Sequence, residues 1–92
     1  MPIEKISQNE IEPLIQMLDM LCEDTSIPKN VRASIAKSKM RLTESDKSAN
    51  EALTTSIHAL EEVVNDINLP MHARTTIWNL LSELEVLKEQ TL

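Results

Sequence analysis

The chain has 92 residues, a formal charge of −6, 41% hydrophobic residues, no glycine and a single aromatic residue, Trp78. Without glycine it has neither the glycine-rich loops that bind phosphates nor the glycine-containing turn that presents a catalytic serine. The acidic balance and the scarcity of aromatic rings argue against nucleic-acid binding by the chain as a whole.

The remaining composition indicates one all-α domain. A chain of this length has room for a single hydrophobic core, and its helix-forming residues favour helices joined by short polar turns. No apolar run approaches the roughly 18 residues of a membrane span, and the first residues lack a signal-peptide pattern, so we expect a cytoplasmic protein with no membrane partner. Cys22 is the only cysteine, which excludes an intrachain disulfide and a cysteine-based zinc cluster.

Apolar residues at spacings of three and four predict two helices in the first half of the chain. Helix 1 begins between Asn9 and Pro13, because proline fits only near its first turn, and ends near Glu23. Helix 2 spans about 28–42, and its apolar face is weakened by Ser38, which stands where a large residue is expected. The residues expected to face the core are Ile11, Leu14, Ile15, Leu18, Leu21, Cys22, Val31, Ile35 and Leu42.

A polar link over 43–47 leads to two further predicted helices. Helix 3 ends near Asp66, and helix 4 spans about 70–89, which makes it about 30 Å long. Short links place consecutive helices side by side and antiparallel, so we predict an antiparallel four-helix bundle. The residues expected to face the core are Ala49, Leu53, Ile57, Leu60, Val63, Val64, Ile77, Leu80, Leu81, Leu84 and Leu87.

The two halves of the chain repeat one another at a shift of 42 positions. The shared frame is Asp-x-x-x-Pro-x-x-x-Arg, in which the acid ends one helix and the proline begins the next. We expect the arginine, one turn into the second helix, to reach back to the acid as an Asp24–Arg32 pair and an Asp66–Arg74 pair. The residues of these two helical corners are Asp24, Pro28, Arg32, Asp66, Pro70 and Arg74.

The repeat also predicts helix caps and a domain organisation. Ser26 and Asn68, two residues ahead of each proline, are the candidate N-caps. The units are similar in style to HEAT-type helical repeats, of which two copies cannot bury their faces as an open stack. They must therefore close as a bundle or be completed by a homodimer with helix 4 at the seam. We predict one domain over 1–92, with hairpin units at about 9–42 and 47–90.

Two segments carry a resemblance to a known family. The segment NDINLPMHARTTIWNLLSELE at 65–85, together with DTSIPKNVR at 24–32, resembles a small archaeal family, uncharacterised protein family 0147. The resemblance covers most of the chain, from helix 1 to helix 4. It implies a compact helical bundle in an archaeal cytoplasm, and it implies no activity.

The residue types that carry chemistry form no recognisable set. His58 and His72 lack the His-Glu-x-x-His and Glu-x-x-His spacings of metal sites, and we expect His72 to be solvated or to cap a neighbour. Cys22 lies on the apolar face of helix 1, where Glu23 and Asp24 would raise the pKa of its thiol. We therefore predict no catalytic residue, no cofactor, no metal site and no enzymatic activity.

Helix 2 is electrostatically unusual because it has five basic residues and no acid between 29 and 42. One interpretation is that these charges compensate the acidic helices 1 and 3 within the fold. The other is a basic surface for an acidic protein or RNA. The residues of the candidate interaction surface are Lys29, Lys37, Lys39 and Arg41, together with Trp78 on helix 4.

The large flexible and aromatic side chains have two interpretations each. Trp78 is expected to pack at the edge of the core, and the alternative is an exposed anchor for a partner. Met17, Met20, Met40 and Met71 are expected to fill gaps in the core, whereas an exposed cluster of them would be an adaptable contact surface.

These observations favour a non-enzymatic helical protein-interaction or assembly module, whose partner is another protein or a second copy in a homodimer. The alternative is a nucleic-acid-associated factor that uses the basic helix 29–42. An enzyme is the third hypothesis, and no motif in the chain supports it.

Overall fold

The computed structural model describes residues 8–43 and 48–91, with side chains from Glu10 onward. Over these ranges the chain forms helices joined by turns and contains no strand. Of the link expected at 43–47, Thr43 ends the second helix and the other four residues lie outside the described part. The helices are α1 (Gln8–Glu23), α2 (Lys29–Thr43), α3 (Ala49–Val64) and α4 (Met71–Gln90).

The helices form a closed ring of neighbours in chain order. The most extensive packing joins α2 to α3, the two helices of each hairpin pack together, and the packing between α1 and α4 is the least extensive. In the described residues the backbones of α2 and α4 do not approach each other closely, so these two helices are diagonal and their outward faces point away from each other. The predicted antiparallel four-helix bundle is confirmed.

The core is aliphatic and follows the spacing predicted from the sequence. The residues expected to face inward are buried, except that Ile15 and Cys22 are only half-buried at its edge. Each fully buried leucine contributes about 1.5–3 kcal/mol relative to an exposed one. The side chains with the least exposure include Leu18, Ile35, Leu53, Leu60, Ile77, Leu80 and Leu84.

Ser38, the expected weak point of helix 2, is fully buried against α3. Its hydroxyl lies 2.9 Å from the hydroxyl of Ser56 and donates to the Ser56 carbonyl at 3.2 Å. Because both side chains are small, the two helices can approach closely, and because both are polar, they satisfy each other inside the core.

The start of α1 differs from the prediction. The helix begins at Gln8, so Pro13 lies inside it instead of in its first turn. Proline has no N–H to donate to the carbonyl of residue 9, and this loses one helical hydrogen bond. Pro13 is exposed, so water can serve that carbonyl and the helix continues.

Candidate functional site

The aspartate of each helical corner holds its own turn. Asp24 Oδ1 accepts from the Ser26 backbone N–H at 2.9 Å, and Asp66 Oδ1 accepts from the Asn68 N–H at 2.8 Å. These are the same bond in the two repeat units, because Asx side chains readily cap a turn two residues on. Each carboxylate therefore accepts a hydrogen bond from the main chain of the turn that it begins.

The prolines stand immediately before the second helix of each unit. Pro28 and Pro70 precede helices that begin at the next residue, and their carbonyls accept from the N–H groups of Arg32 at 2.9 Å and Arg74 at 3.0 Å. Pro70 has the extended backbone of an N-cap, with φ −61° and ψ 152°. The caps predicted two residues earlier are therefore wrong, because the helical hydrogen bonds start at the prolines.

The arginine of each corner binds main-chain carbonyls. Arg32 donates from Nε to the Ile27 carbonyl at 3.0 Å. Arg74 donates from Nε to the Val64 carbonyl at 3.2 Å and from Nη2 to the Asp66 carbonyl at 3.0 Å. The guanidinium groups thus bind carbonyls at the helix ends and turns of the two corners, and the Asp66 carbonyl also accepts from the Leu69 N–H at 3.2 Å.

The predicted Asp24–Arg32 and Asp66–Arg74 side-chain pairs are wrong. Neither ion pair is present among residues 8–43 and 48–91. The physical reason is competition: the carboxylates accept from N–H groups of the turn, and the arginines donate to backbone carbonyls. The structure does place both aspartates, prolines and arginines at the two corners. Their side chains bind main-chain groups there and do not pair with each other.

His72, in the first turn of α4, reaches across to the other corner. Its Nε2 lies 2.7 Å from Asp24 Oδ2 and 3.3 Å from the Ser26 hydroxyl, which itself donates to Asp24 Oδ1 at 2.6 Å. The Ser26 hydroxyl first, and His72 second, lower the pKa of Asp24 from 3.8 to about 2. His72 is exposed, as expected, and in addition it links the two hairpins.

This serine, histidine and aspartate do not form a nucleophile and its base. In a hydrolytic triad the acid binds one imidazole nitrogen and the serine binds the other. Here the same nitrogen of His72 faces both Asp24 and Ser26, and the serine proton is directed to the carboxylate. The arrangement is a polar clasp between two turns.

The remaining polar candidates are placed apart. Burial, and then the charge of Asp19, raise the pKa of the Cys22 thiol, whose sulfur lies 3.9 Å from the Arg32 carbonyl oxygen. His58 is exposed on α3. No group of three or more histidine, cysteine, aspartate and glutamate side chains is placed to hold a metal ion in the part of the chain that the structure describes.

The basic residues of α2 are divided between different tasks. Lys39 pairs with Asp19 of α1 at 2.5 Å, and this contact raises the lysine pKa. Arg32 donates to the Ile27 carbonyl in its own corner. The pairing of Lys39 supports compensation of the acidic α1 within the fold, whereas Arg32 binds a neutral carbonyl. The five basic residues do not form one continuous surface.

The outward face of α2 presents what we call the α2 strip. Its residues are at spacings of four, four and three, which places them on one side of the helix. Lys29 and Lys37 are exposed and make no ion pair with any described residue, and the Met40 side chain is 66% exposed. Arg41 is half-buried beside them. The members of the α2 strip are Lys29, Ala33, Lys37 and Met40.

The outward face of α4 presents a second row, the α4 strip. Trp78 is 56% exposed, so its expected place at the core edge is wrong and the alternative of an exposed side chain holds. Met71 is 70% and Val86 52% exposed on the same side of the helix. The exposed Thr75 and Ser82 stand between them. The members of the α4 strip are Met71, Thr75, Trp78, Ser82 and Val86.

The surroundings of the α4 strip are acidic. Glu83, Glu85 and Glu89 are exposed along the same helix. Its two long basic side chains, Arg74 and Lys88, are half-buried, and Arg74 is held in its corner. The apolar row on α4 is therefore bordered by negative charge.

Comparison with known proteins places this bundle among its relatives. The model of the Uncharacterised protein family (UPF0147) matches residues 3–87. The chain belongs to UPF0147. It is similar to the UPF0147 protein MJ1419 of Methanocaldococcus jannaschii, with 38% identity over 92% of this chain and 91% of the relative. A UPF0147 protein of Archaeoglobus fulgidus is 39% identical over 90% of this chain and 94% of its own length.

A solved UPF0147 structure has the same architecture. The crystal structure of a family member from Thermoplasma acidophilum has 36% sequence identity and a TM-score of 0.81, covering 87% of this chain and 94% of that one. The resemblance to an archaeal family of helical bundles, inferred from two segments of the sequence, is thereby confirmed.

The sequence interpretation of the UPF0147 chain missed most of its exposed apolar surface. Met20, Met40 and Met71 project outward, so the gap-filling role expected for them is wrong, and only Met17 packs at the core edge. The signal was present in the spacing, because successive helical residues are separated by about 100°. On α4 this spacing places Trp78 on the side of the helix opposite to the residues that face the core.

The contact between His72 and Asp24 was also missed, because nothing in the residues near either position indicates it. His72 stands where the first repeat unit has an asparagine, and its partner Asp24 is 48 positions away in the chain.

None of the helices in the described part of this UPF0147 chain is both long and apolar enough to cross a membrane.

Proposed function

We propose that this UPF0147 chain is a cytoplasmic, non-enzymatic protein-interaction module that binds its partner through the α4 strip. The observation that carries the proposal is the alignment of Met71, Trp78 and Val86, each more than half exposed, along one helix. Single exposed apolar side chains are ordinary on protein surfaces. A row of them bordered by polar groups is typical of a surface that receives a partner helix.

The dimensions of the α4 strip suit a helical partner. From Met71 to Val86 it extends about 22 Å, the length of four helical turns. Trp78 lies near the middle, as an anchor residue does in many interfaces, and the small Thr75 and Ser82 leave room beside it. The unbranched Met71 side chain can adapt to the shape of its neighbour.

The rest of the fold fixes the conformation of the α4 strip before a partner binds. The inward face of α4 is buried in the core, so the helix and its outward side chains keep one orientation before binding. A preformed surface loses less conformational entropy on association than a loop that must order. The buried residues that hold the helix are Ala73, Ile77, Leu80, Leu81, Leu84 and Leu87.

The non-enzymatic part of the proposal is supported by the use of the polar side chains. Asp24, Ser26 and His72 hold two corners together, and Arg74 donates to the main-chain carbonyls of Val64 and Asp66. Groups with these structural partners are not poised to bind or transfer a proton to a substrate.

The proposal is tested by replacing Ser82 with a photo-cross-linking amino acid and irradiating the protein in a lysate of its source. The matched control carries the same amino acid at Gln16, an exposed residue of α1. We expect defined cross-linked species from position 82 alone. Adding Trp78→Ala to the labelled chain should abolish them, whether the captured partner is another protein or a second copy. Equal cross-linking at both positions, or cross-linking at position 82 that Trp78→Ala leaves unchanged, overturns the proposal.

The alternative of a nucleic-acid-associated factor using helix 29–42 stays a prediction with less support. Lys39 is paired with Asp19 and Arg32 is used in its corner, which leaves Lys29 and Lys37 as the exposed charges of the α2 strip. Binding to RNA that weakens steeply with salt and is lost in Lys29→Glu/Lys37→Glu would favour it.

A further inference from the structure

We infer that the occupant of the α4 strip is the α2 strip of a second copy of this chain. The inference rests on the proposed function, because it uses the same surface and adds the identity of what covers it. It also accounts for two features that the bundle itself leaves unexplained. Lys29 and Lys37 on α2 pair with no acid among the described residues, and the apolar row on α4 is bordered by acids.

The two strips are complementary in charge. The α2 strip presents Lys29 and Lys37 on a helix without a single acid. The α4 strip is bordered by the exposed Glu83, Glu85 and Glu89. In a chain with net charge −6, a surface with this local excess of positive charge is the part best suited to approach α4 of another copy.

The spacing of the two strips is also compatible. Lys29 and Met40 are eleven residues apart, and so are Trp78 and Glu89. An antiparallel alignment that places Met40 against Trp78 therefore places Lys29 opposite Glu89. The same alignment brings Lys37 within about one helical turn, or 5.4 Å, of Glu83 and Glu85. Ala33 lies between the lysines and allows the helices to approach.

The position of the strips in the bundle determines the kind of assembly. Because α2 and α4 are diagonal and face away from each other, a copy that is bound through α2 still presents its own α4 strip. Such a head-to-tail contact leaves a free strip at each end of a dimer, so further copies can add. The chain of copies ends only if the rotation between them closes a ring. The assembly should therefore grow beyond a dimer as concentration rises.

Two measurements on the full chain detect this contact. Sedimentation equilibrium should show a weight-average mass that rises with protein concentration and passes twice the monomer mass. Trp78 is the only aromatic residue, so its fluorescence reports on the α4 strip without interference. Its emission should shift to shorter wavelength over the same concentration range, because burial removes the indole from water.

Charge reversal distinguishes this pairing from other modes of association. We expect Lys29→Glu/Lys37→Glu and Glu85→Lys/Glu89→Lys each to raise the concentration needed for association by about tenfold or more. An equimolar mixture of the two variants should recover association, because each then offers the surface that the other needs. Glu61→Lys/Glu62→Lys on the exposed side of α3 is the control with the same charge change as the second variant, and it should associate like wild type.

The other occupants have separate outcomes. A chain that stays monomeric overturns the inference, and the proposed function survives if cross-linking at position 82 still captures a different protein. A dimer that is abolished by Trp78→Ala and insensitive to Lys29→Glu/Lys37→Glu indicates α4 packing on α4, which also overturns it. Failure of the charge-reversed mixture to recover association overturns the charge pairing directly. Circular dichroism confirms that each variant is folded.

Discussion

His72 Nε2 lies 2.7 Å from Asp24 Oδ2, so the first turn of α4 is bonded to the turn between α1 and α2. The contact joins the second hairpin to the first, and among the neighbouring helix pairs α1 and α4 pack least extensively. It is absent from the repeat itself, because the first unit has Asn30 where the second has His72. A polar clasp therefore supplements apolar packing where that packing is thinnest.

The first prediction concerns the pH dependence of this clasp. The folded state lowers the pKa of Asp24 from 3.8 to about 2, so it favours the ionised carboxylate. The resulting stabilisation is fully present above pH 3.8 and is lost as pH falls through about 2. Asp24→Asn should therefore be less stable than wild type at neutral pH and approach it near pH 2. Urea unfolding followed by circular dichroism at a series of pH values measures this difference.

The matched control for this prediction is Asp66→Asn in the other corner. Asp66 accepts from its own turn, but no histidine or hydroxyl side chain contacts its carboxylate in the described structure. Its replacement should change the acid dependence of stability less than Asp24→Asn does. His72→Gln should reduce the effect at Asp24, and an unchanged acid profile in both variants would contradict the role given to the clasp.

The second prediction concerns the buried pair of serines between α2 and α3. Ser38→Ala leaves the Ser56 hydroxyl without its buried partner and should cost about 1–2 kcal/mol of unfolding free energy. The double variant Ser38→Ala/Ser56→Ala should cost less than the sum of the single changes, since no unpaired hydroxyl remains. Ser34→Ala, on the exposed side of α2, is the control and should be nearly neutral. Additive effects would show that the two hydroxyls do not interact.

The third prediction compares the two corner arginines. Arg74 donates to two carbonyls and Arg32 to one, so Arg74→Met should cost about 2 kcal/mol and Arg32→Met about half as much. Arg74→Lys should recover little, because an ammonium group lacks the fork that spans two acceptors. Denaturant unfolding of the three variants measures the order. Equal costs in both corners would contradict the assignment.

The fourth prediction separates stability from surface function on α4. Leu80 is fully buried, so Leu80→Ala should cost about 2–5 kcal/mol of unfolding free energy. Trp78→Ala removes a larger but mostly exposed side chain and should change stability by about 1 kcal/mol or less. Thermal unfolding distinguishes the two. A large loss in Trp78→Ala would mean that the indole belongs to the core, and it would remove the basis of the α4 strip.

Much of the architecture was predictable because its rules are local. Helical spacing selects the inward faces, and Pro28 and Pro70 mark where the second helix of each unit begins, because proline cannot continue the preceding one. The same spacing, applied outward, places Trp78 away from the core. The sequence contained that information, although the expected preference of tryptophan for the core edge outweighed it.

The acceptors of the corner arginines were not predictable. Arg74 has both an acid and carbonyls nearby along the chain, and its acceptors depend on how the folded turn orients these groups. The Asp66 carboxylate accepts from the Asn68 N–H, and Arg74 instead donates to the carbonyls of Val64 and Asp66. The orientation of these groups in the folded turn decides between them, and residue order does not specify that orientation.

The amino-acid sequence by itself determined four helices, two repeated corners and an aliphatic core, because helix periodicity and chain reversal depend on residues only a few positions apart. The docking of the two hairpins decided the rest: the bond from His72 to Asp24, the meeting of Ser38 with Ser56, and the opposed outward faces of α2 and α4. These relationships join distant parts of the chain, so they exist only once the hairpins pack against each other.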